Sequence, residues 1–419
     1  MKLSKASLLA SVFWFGVTGA ALAQTSPPAG DAAPAPAPAA PPADAAAAPA
    51  PAAAPAAAAP MPMAMSMPAM TPPLSANPNP TSLDAGPLGK IYVTGALTGL
   101  AYTQNHVVPG DHKSQADLSN AQVFIQKTDG LIQFYVQAGI YSMPAVGTPY
   151  LKATTTTENT YSIIPQAYIK IAPTAEFNVM AGKLPTLIGA EYNFTFENPN
   201  IMRGLLWAQE PGVSRGVQAN YTKGPLAISV SWNDGYYSDR YTWGSALVTY
   251  TANANNSIAF AAAHDFKHTS KSTFITPLLQ NNGEVYNIIF THTGGPLTLI
   301  PYVQYTHVPS IPAYGIAHSA STTGAAILGK YSFTPEFSFG GRVEYIHSSA
   351  GGGDTNLLYG PGSHAWSFTI TPTFQVKALF LRAELSYVTA GNVTTGSAFG
   401  PSGSDKSQTR GVVETGVLF

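Results

Sequence analysis

The same short motif occurs twice in the second half of the chain, as Arg342-Val-Glu344 and Arg382-Ala-Glu384. Residues two apart on an extended strand share one face at about 7 Å, so a basic and an acidic side chain placed this way can bond to each other or to whatever lies over that face. Arg410 and Glu414 repeat the pattern with one more period of two, and Lys170 and Lys330 stand in similar alternating segments. The chemistry open to such a row is electrostatic. Fixed charges can line a water-filled passage and sort solutes by sign, or they can form ion pairs that brace a wall. Side chains of this kind commonly do both, and the mixture of signs argues against strong preference for anions or cations.

Covalent chemistry is poorly served. His318-Ser319 and His347-Ser348 are sequence neighbours, which does not build a triad, and no G-x-S-x-G elbow occurs. His264 and His268 have the spacing of two ligands on a helix, yet they fall where a strand runs into a loop. The run Gly351-Gly-Gly353 lacks the Lys-Ser/Thr of a phosphate loop. There is no cysteine, which removes disulfides, thiolate metal sites and cysteine nucleophiles together. The thioethers of Met61, Met63, Met65 and Met67 suit Cu(I), but low-complexity drift is the commoner cause of such a patch. The expectation is a protein that is not an enzyme and has no cofactor or metal.

The elements that carry the charged motifs are strands of an unusual kind. Charged residues make up 10% of the 419-residue chain and aromatic residues 11%, against about 25% charge in soluble domains. A wall facing lipid excludes charge and collects aromatic rings, and no run in the body of the chain is long and apolar enough for a spanning helix. From Gly89 onward, segments of about ten residues alternate apolar with polar or small ones. In Leu131–Tyr141, Ile132, Phe134, Val136, Ala138 and Ile140 share one face while Gln133, Tyr135 and Gln137 share the other. Short links at 128–130, 172–174, 223–225, 252–256, 294–296, 334–335 and 371–377 alternate with long polar ones near 103–117, 142–160, 184–212, 234–240, 266–283, 308–322, 348–363 and 389–408. Seven short and eight long connections predict an all-β fold, a transmembrane antiparallel up-and-down barrel of about sixteen strands with both ends on the periplasmic side. If the apolar residues face lipid, Lys170, Lys330, Arg342, Glu344, Arg382, Glu384, Arg410 and Glu414 face the lumen.

The ends of the chain agree with this. Lys2 and Lys5, the apolar run Ala6–Val17 and Ala21-Leu-Ala23 read as a signal peptide over residues 1–23, whose removal takes the formal charge from −1 to −3. That balance argues against nucleic acid as a partner. Residues 24–88 are dominated by Pro and Ala and are expected to be a disordered periplasmic spacer. The barrel would occupy residues 89–419. Its last strand, Thr409–Phe419, resembles the C-terminal signal that the barrel assembly machinery reads in outer-membrane proteins. Outer-membrane lipid and small solutes are the other expected partners, and the outer wall would serve a homotrimer or a monomer equally. The expected location is the bacterial outer membrane.

The middle of the chain carries a more specific pattern: Gly182-Lys-Leu-Pro-Thr-Leu-Ile-Gly-Ala-Glu-Tyr192, Phe196-Glu-Asn-Pro-Asn-Ile-Met-Arg-Gly204, Glu210-Pro-Gly-Val-Ser-Arg-Gly-Val-Gln218 and Trp232-Asn-Asp-Gly-Tyr236. Over these roughly sixty residues the sequence resembles the OmpL-like β-barrel porins. The resemblance implies a porin-like outer-membrane barrel and no defined substrate. Loop 184–212 lies within it and mixes Glu191, Glu197, Arg203 and Glu210 with Phe194, Phe196, Leu205, Leu206 and Trp207. Apolar side chains in a long loop need somewhere to pack. The loop is therefore expected to fold into the barrel and narrow it, its carboxylates facing basic wall residues. A flap over the rim is the competing arrangement. Girdle rings are expected among Tyr92, Tyr102, Tyr141, Tyr221, Trp232, Trp243, Trp366 and Tyr387. The reading is a passive pore for small hydrophilic solutes, with a closed barrel serving as an anchor or wall-contacting structure as its rival.

Overall fold

The computed structural model describes Leu74, residues 80–349 and residues 356–419. The signal sequence and nearly all of the Pro/Ala/Met tract lie outside the described residues. A short strand β1 (Thr81–Asp84) comes first, followed by β2 (Lys90–Gln104), β3 (Ser114–Lys127), β4 (Ile132–Tyr141), β5 (Gln166–Ile171) and β6 (Phe177–Pro185). Next are β7 (Val213–Lys223), β8 (Leu226–Asn233), β9 (Trp243–Asn253), β10 (Asn256–Asp265), β11 (Glu284–Gly294) and β12 (Leu297–Val308). The series ends with β13 (Ala320–Ser332), β14 (Phe337–Ser348), β15 (His364–Val376), β16 (Leu379–Gly391) and β17 (Ser407–Leu418).

Each strand from β2 to β17 pairs antiparallel with the next, and β17 closes on β2 in the register Arg410↔Gln104 to Leu418↔Ala96. The result is a closed barrel of sixteen strands, and closure leaves no unpaired edge at membrane depth. The seven connections at one end are tight and the eight at the other are long, of which 186–212 is the longest. At Gly224-Pro225 and Gly295-Pro296 glycine holds φ of 56° and 54°, the left-handed first position that lets a two-residue link follow the strand twist. Two expected turns are clearly shorter than their sequence suggested, 252–256, where the link is only 254–255, and 371–377. The stretch 371–377 is expected as a short link, but strand β15 continues to Val376 and the link is only Lys377-Ala378. Pro372 costs ladder bonds without ending the strand, and the paired register with β16 resumes at Thr373↔Arg382.

Structure also begins earlier than Gly89. Strand β1 folds back on β2, with Thr81 opposite Val93 and Asp84 opposite Lys90. It takes the side of β2 that the C-terminal strand leaves free, for Phe419 ends its pairing at Gly95 with backbone bonds of 2.8 and 3.0 Å. Leu74 is buried in an apolar cluster with Ala96, Phe124, Tyr135, Phe196 and Phe380, so part of the segment assigned to the spacer packs with the barrel.

The alternation of exposure separates the two faces of the wall. Val343, Phe368, Ile370, Leu381 and Leu385 are exposed to the surroundings, whereas Arg342, Glu344, Arg382 and Glu384 between them are buried. The expected girdle divides in the same way. Tyr221, Trp232, Trp366 and Tyr387 are exposed, but Tyr102, Tyr141 and Trp243 are buried and Tyr92 is half-buried. Strand parity, which overrides residue type, turns these rings inward. Tyr141 lies directly opposite Asn120, a buried polar residue of β3.

Candidate functional site

Loop 186–212 closes on itself at its neck, where Asn193 Nδ2 donates to Gly212 O at 2.9 Å. Its apolar residues Leu187, Ile188, Ile201, Leu205 and Leu206 belong to one cluster with Ala259, Ala261, Val285, Ile289, Ile300, Ala326 and Leu328 of strands β10 to β13. This sector of the inner wall is thus partly apolar, with Asn287 accepting from Gly189 N–H at 3.2 Å and Gln304 Nε2 donating to Leu206 O at 3.0 Å between the apolar contacts. Small alanines and Gly324 make room for the loop, since a Cβ at Gly324 would stand 2.7 Å from Leu206 Cδ1. On the opposite side Asn120 of β3 donates to Thr195 Oγ1 at 2.7 Å, and the Phe194 ring meets Tyr141 of β4 edge-on.

Between these sectors the charged motifs meet the loop backbone. Glu344 accepts from Leu205 N–H at 2.9 Å and Leu206 N–H at 3.2 Å, and Ser367 Oγ adds a bond of 2.5 Å. Glu384 accepts from Met202 N–H at 3.1 Å, from Thr371 Oγ1 at 2.9 Å and from Ile201 N–H. Arg382 donates to the carbonyls of Asn198 at 2.9 Å and Thr195 at 2.6 Å while gripping Glu414 Oε2 at 2.9 and 2.5 Å. Glu414 also accepts from Ser119 Oγ and Thr195 Oγ1. Arg410 pairs with Asp111 at 3.3 Å, takes Gln104 Oε1 at 2.7 Å and donates to Thr148 O at 2.8 Å. A loop has no ladder partners for its own amides, so charged wall side chains supply them, each such bond being stronger than a neutral one.

The loop's charged residues are not alike. Glu191 pairs with Arg342 Nη1 at 2.7 Å and accepts from Gly204 N–H at 2.8 Å. Arg203 turns back on its own loop, donating to Asn200 O at 2.8 Å, to Asn193 O at 3.3 Å and to Ile201 O. Burial pulls its guanidinium down to about 10, with the Glu191 carboxylate opposing. Among the described residues Glu197 accepts only from Phe194 N–H at 3.2 Å, and burial pushes its carboxyl up to about 8. Neither oxygen of Glu210 accepts a hydrogen bond among the described residues. Among the described residues the expected field between loop carboxylates and basic wall residues therefore has one direct pair, Glu191 with Arg342.

Lys170 and Lys330 are half-buried. Lys330 lines a small cavity with Tyr192, Asn198 and Pro199 of the loop. Asp111, Asn120 and Thr195 join the network without a sequence signal, since an acceptor for one guanidinium or amide leaves no periodic pattern. His264 Nδ1 lies 2.9 Å from Glu284 and His268 3.5 Å from Asp265. Among the described residues no group of three or more His, Asp or Glu is placed to hold a metal.

A closed sixteen-stranded barrel with tight turns at one end, long loops at the other and an apolar outer wall is a porin-like barrel of the outer membrane. The chain belongs to the family described as "putative beta-barrel porin-2, OmpL-like", whose model matches residues 90–419. Solved structures share the fold at low identity. OmpT of Vibrio cholerae is 10% identical with a TM-score of 0.54, over 81% of this chain and 100% of that one. The anion-selective porin from Comamonas acidovorans is 13% identical with a TM-score of 0.54, over 78% and 99%. The outer-membrane channel DcaP of Acinetobacter baumannii is 11% identical with a TM-score of 0.52, over 78% and 97%. No curated protein matches the chain significantly.

Proposed function

We propose that the protein is a passive diffusion channel for small hydrophilic solutes, with loop 186–212 as its constriction. The observation that carries this reading is the anchoring of the loop. Its backbone and side chains bond to side chains of β3, β11 to β13 and β14 to β17, and its apolar residues pack on β10 to β13. A loop held at so many points sets a fixed width, and width sets the rate for solutes that bind nothing on the way. Arg342, Glu344, Arg382, Glu384, Arg410 and Glu414 act chiefly as the clamps of the constriction, and Lys170 and Lys330 complete the charged lining.

In this reading the long loops face outward and both termini lie in the periplasm. The Pro/Ala tract is then a periplasmic spacer behind a cleaved signal peptide, and β17 with Phe419 is the element that the barrel assembly machinery reads. A homotrimer fits the fold, since OmpT of Vibrio cholerae has been solved in a trimer form. A second reading, a closed barrel acting as an anchor, is favoured by one observation: the apolar cluster that joins loop and wall over β10 to β13. Stepwise single-channel current from the folded protein in a planar bilayer supports the channel. Electrical silence from a preparation shown to be folded supports the anchor.

A further inference from the structure

One carboxylate takes no part in clamping the loop. Glu210 is 8% exposed, neither oxygen accepts a hydrogen bond among the described residues, and the charged groups acting on it are the carboxylates Glu191 and Glu344. A buried anion in such surroundings is costly unless a cation or a proton reaches it. Burial and those two neighbours push its carboxyl well above the usual range.

Glu210 also lines a cavity of about 100 Å³. The walls come from four long connections at one end of the barrel, 142–165, 186–212, 234–242 and 266–283. They include the rings of Tyr161, Trp207, Tyr236 and Phe274 and the hydroxyls of Thr156 and Thr160, and no basic residue is among them. A water needs about 10–15 Å³ of such space, so the cavity takes a ligand of several heavy atoms. Aromatic faces with a carboxylate are the surroundings that an organic cation prefers.

We propose that this cavity is a binding site for a small primary alkylammonium at the outer mouth of the barrel, with Glu210 as its counter-charge. An N–H-bearing cation fits better than a quaternary one because the carboxylate lacks donors. The Glu210 carboxylate is turned onto Gly189, where an added Cβ would fall 1.7 Å from Oε2, so the ligand engages it after a turn of the side-chain torsions. The site goes beyond the diffusion reading, since binding at the mouth needs no open lumen.

The test is isothermal titration of the full mature protein in detergent with n-butylammonium chloride, against sodium butyrate and sodium chloride at equal ionic strength. The expected result is saturable binding of butylammonium in the millimolar range and none of butyrate. Glu210→Gln should weaken it about tenfold or more, and Trp207→Ala, at a partly exposed ring, several-fold. No binding to the wild type, equal binding of butyrate, or unchanged affinity in folded Glu210→Gln would overturn the proposal. Single-channel recording on the same preparation separates the two readings. Current without butylammonium binding removes the site and leaves the channel, whereas binding without current leaves the site and removes the channel.

Discussion

Replacing Glu384 by Ala tests whether the wall charges clamp the loop. The carboxylate accepts the backbone N–H groups of Ile201 and Met202 and the hydroxyl of Thr371, all buried. Without it two amides lose charge-assisted bonds worth about 1.5–3 kcal/mol each, so the docked loop loses roughly 3–6 kcal/mol. At about 1.4 kcal/mol per factor of ten, the detached population rises by roughly two to four orders of magnitude. The assay is limited chymotrypsin cleavage of the reconstituted protein at Phe194, Phe196 and Trp207, with single-channel conductance read in parallel. Glu384→Ala should be cut in the loop and conduct more with frequent flicker, and Glu384→Gln, which keeps an acceptor, should fall between it and the wild type. A folded Glu384→Ala barrel with wild-type conductance and a protease-resistant loop would refute the clamp.

Other expectations follow from the same contacts. Gly340→Val should lift the loop, because a Cβ there would sit 2.6 Å from Pro199 O; overpacking of this kind costs about 1–3 kcal/mol, seen as a lower urea midpoint and a raised conductance. Glu197 binds its proton more tightly folded than unfolded, so its contribution to stability is full below about 4.5 and is lost as pH rises toward about 8. Glu197→Gln should flatten the pH dependence of urea unfolding across that window, and an unchanged slope would count against the burial of this group. Deleting Phe419 removes both backbone bonds to Gly95 at the closing seam, so the yield of heat-modifiable folded barrel should drop while far-ultraviolet spectra of the unfolded chain stay the same.

The barrel was legible in the sequence because its rules are periodic. Period-two alternation in segments such as Ile132–Tyr141, and strict exchange of short and long links, give the strand count without any single boundary being secure. Where one residue type outweighed the pattern, the reading went astray. Tyr102, Tyr141 and Trp243 looked like girdle rings, although strand parity already turned them inward. The two R-x-E motifs marked the charged side of β14 and β16, but their partners were hidden. Glu344 and Glu384 bond to amides of residues 201–206, and any residue but proline offers an amide, so no sequence signal names that contact. Likewise β1 is four residues long and packs through register with β2 rather than through a hydrophobic pattern of its own.

The most direct test of the central claim is single-channel recording of the purified, folded protein in a planar bilayer under a salt gradient. A diffusion channel narrowed by a clamped loop should give small, stepwise, steady currents, with a reversal potential near zero because most of the inner charges are paired. Silence from protein shown to be folded by heat-modifiable migration would contradict the channel and favour a closed barrel.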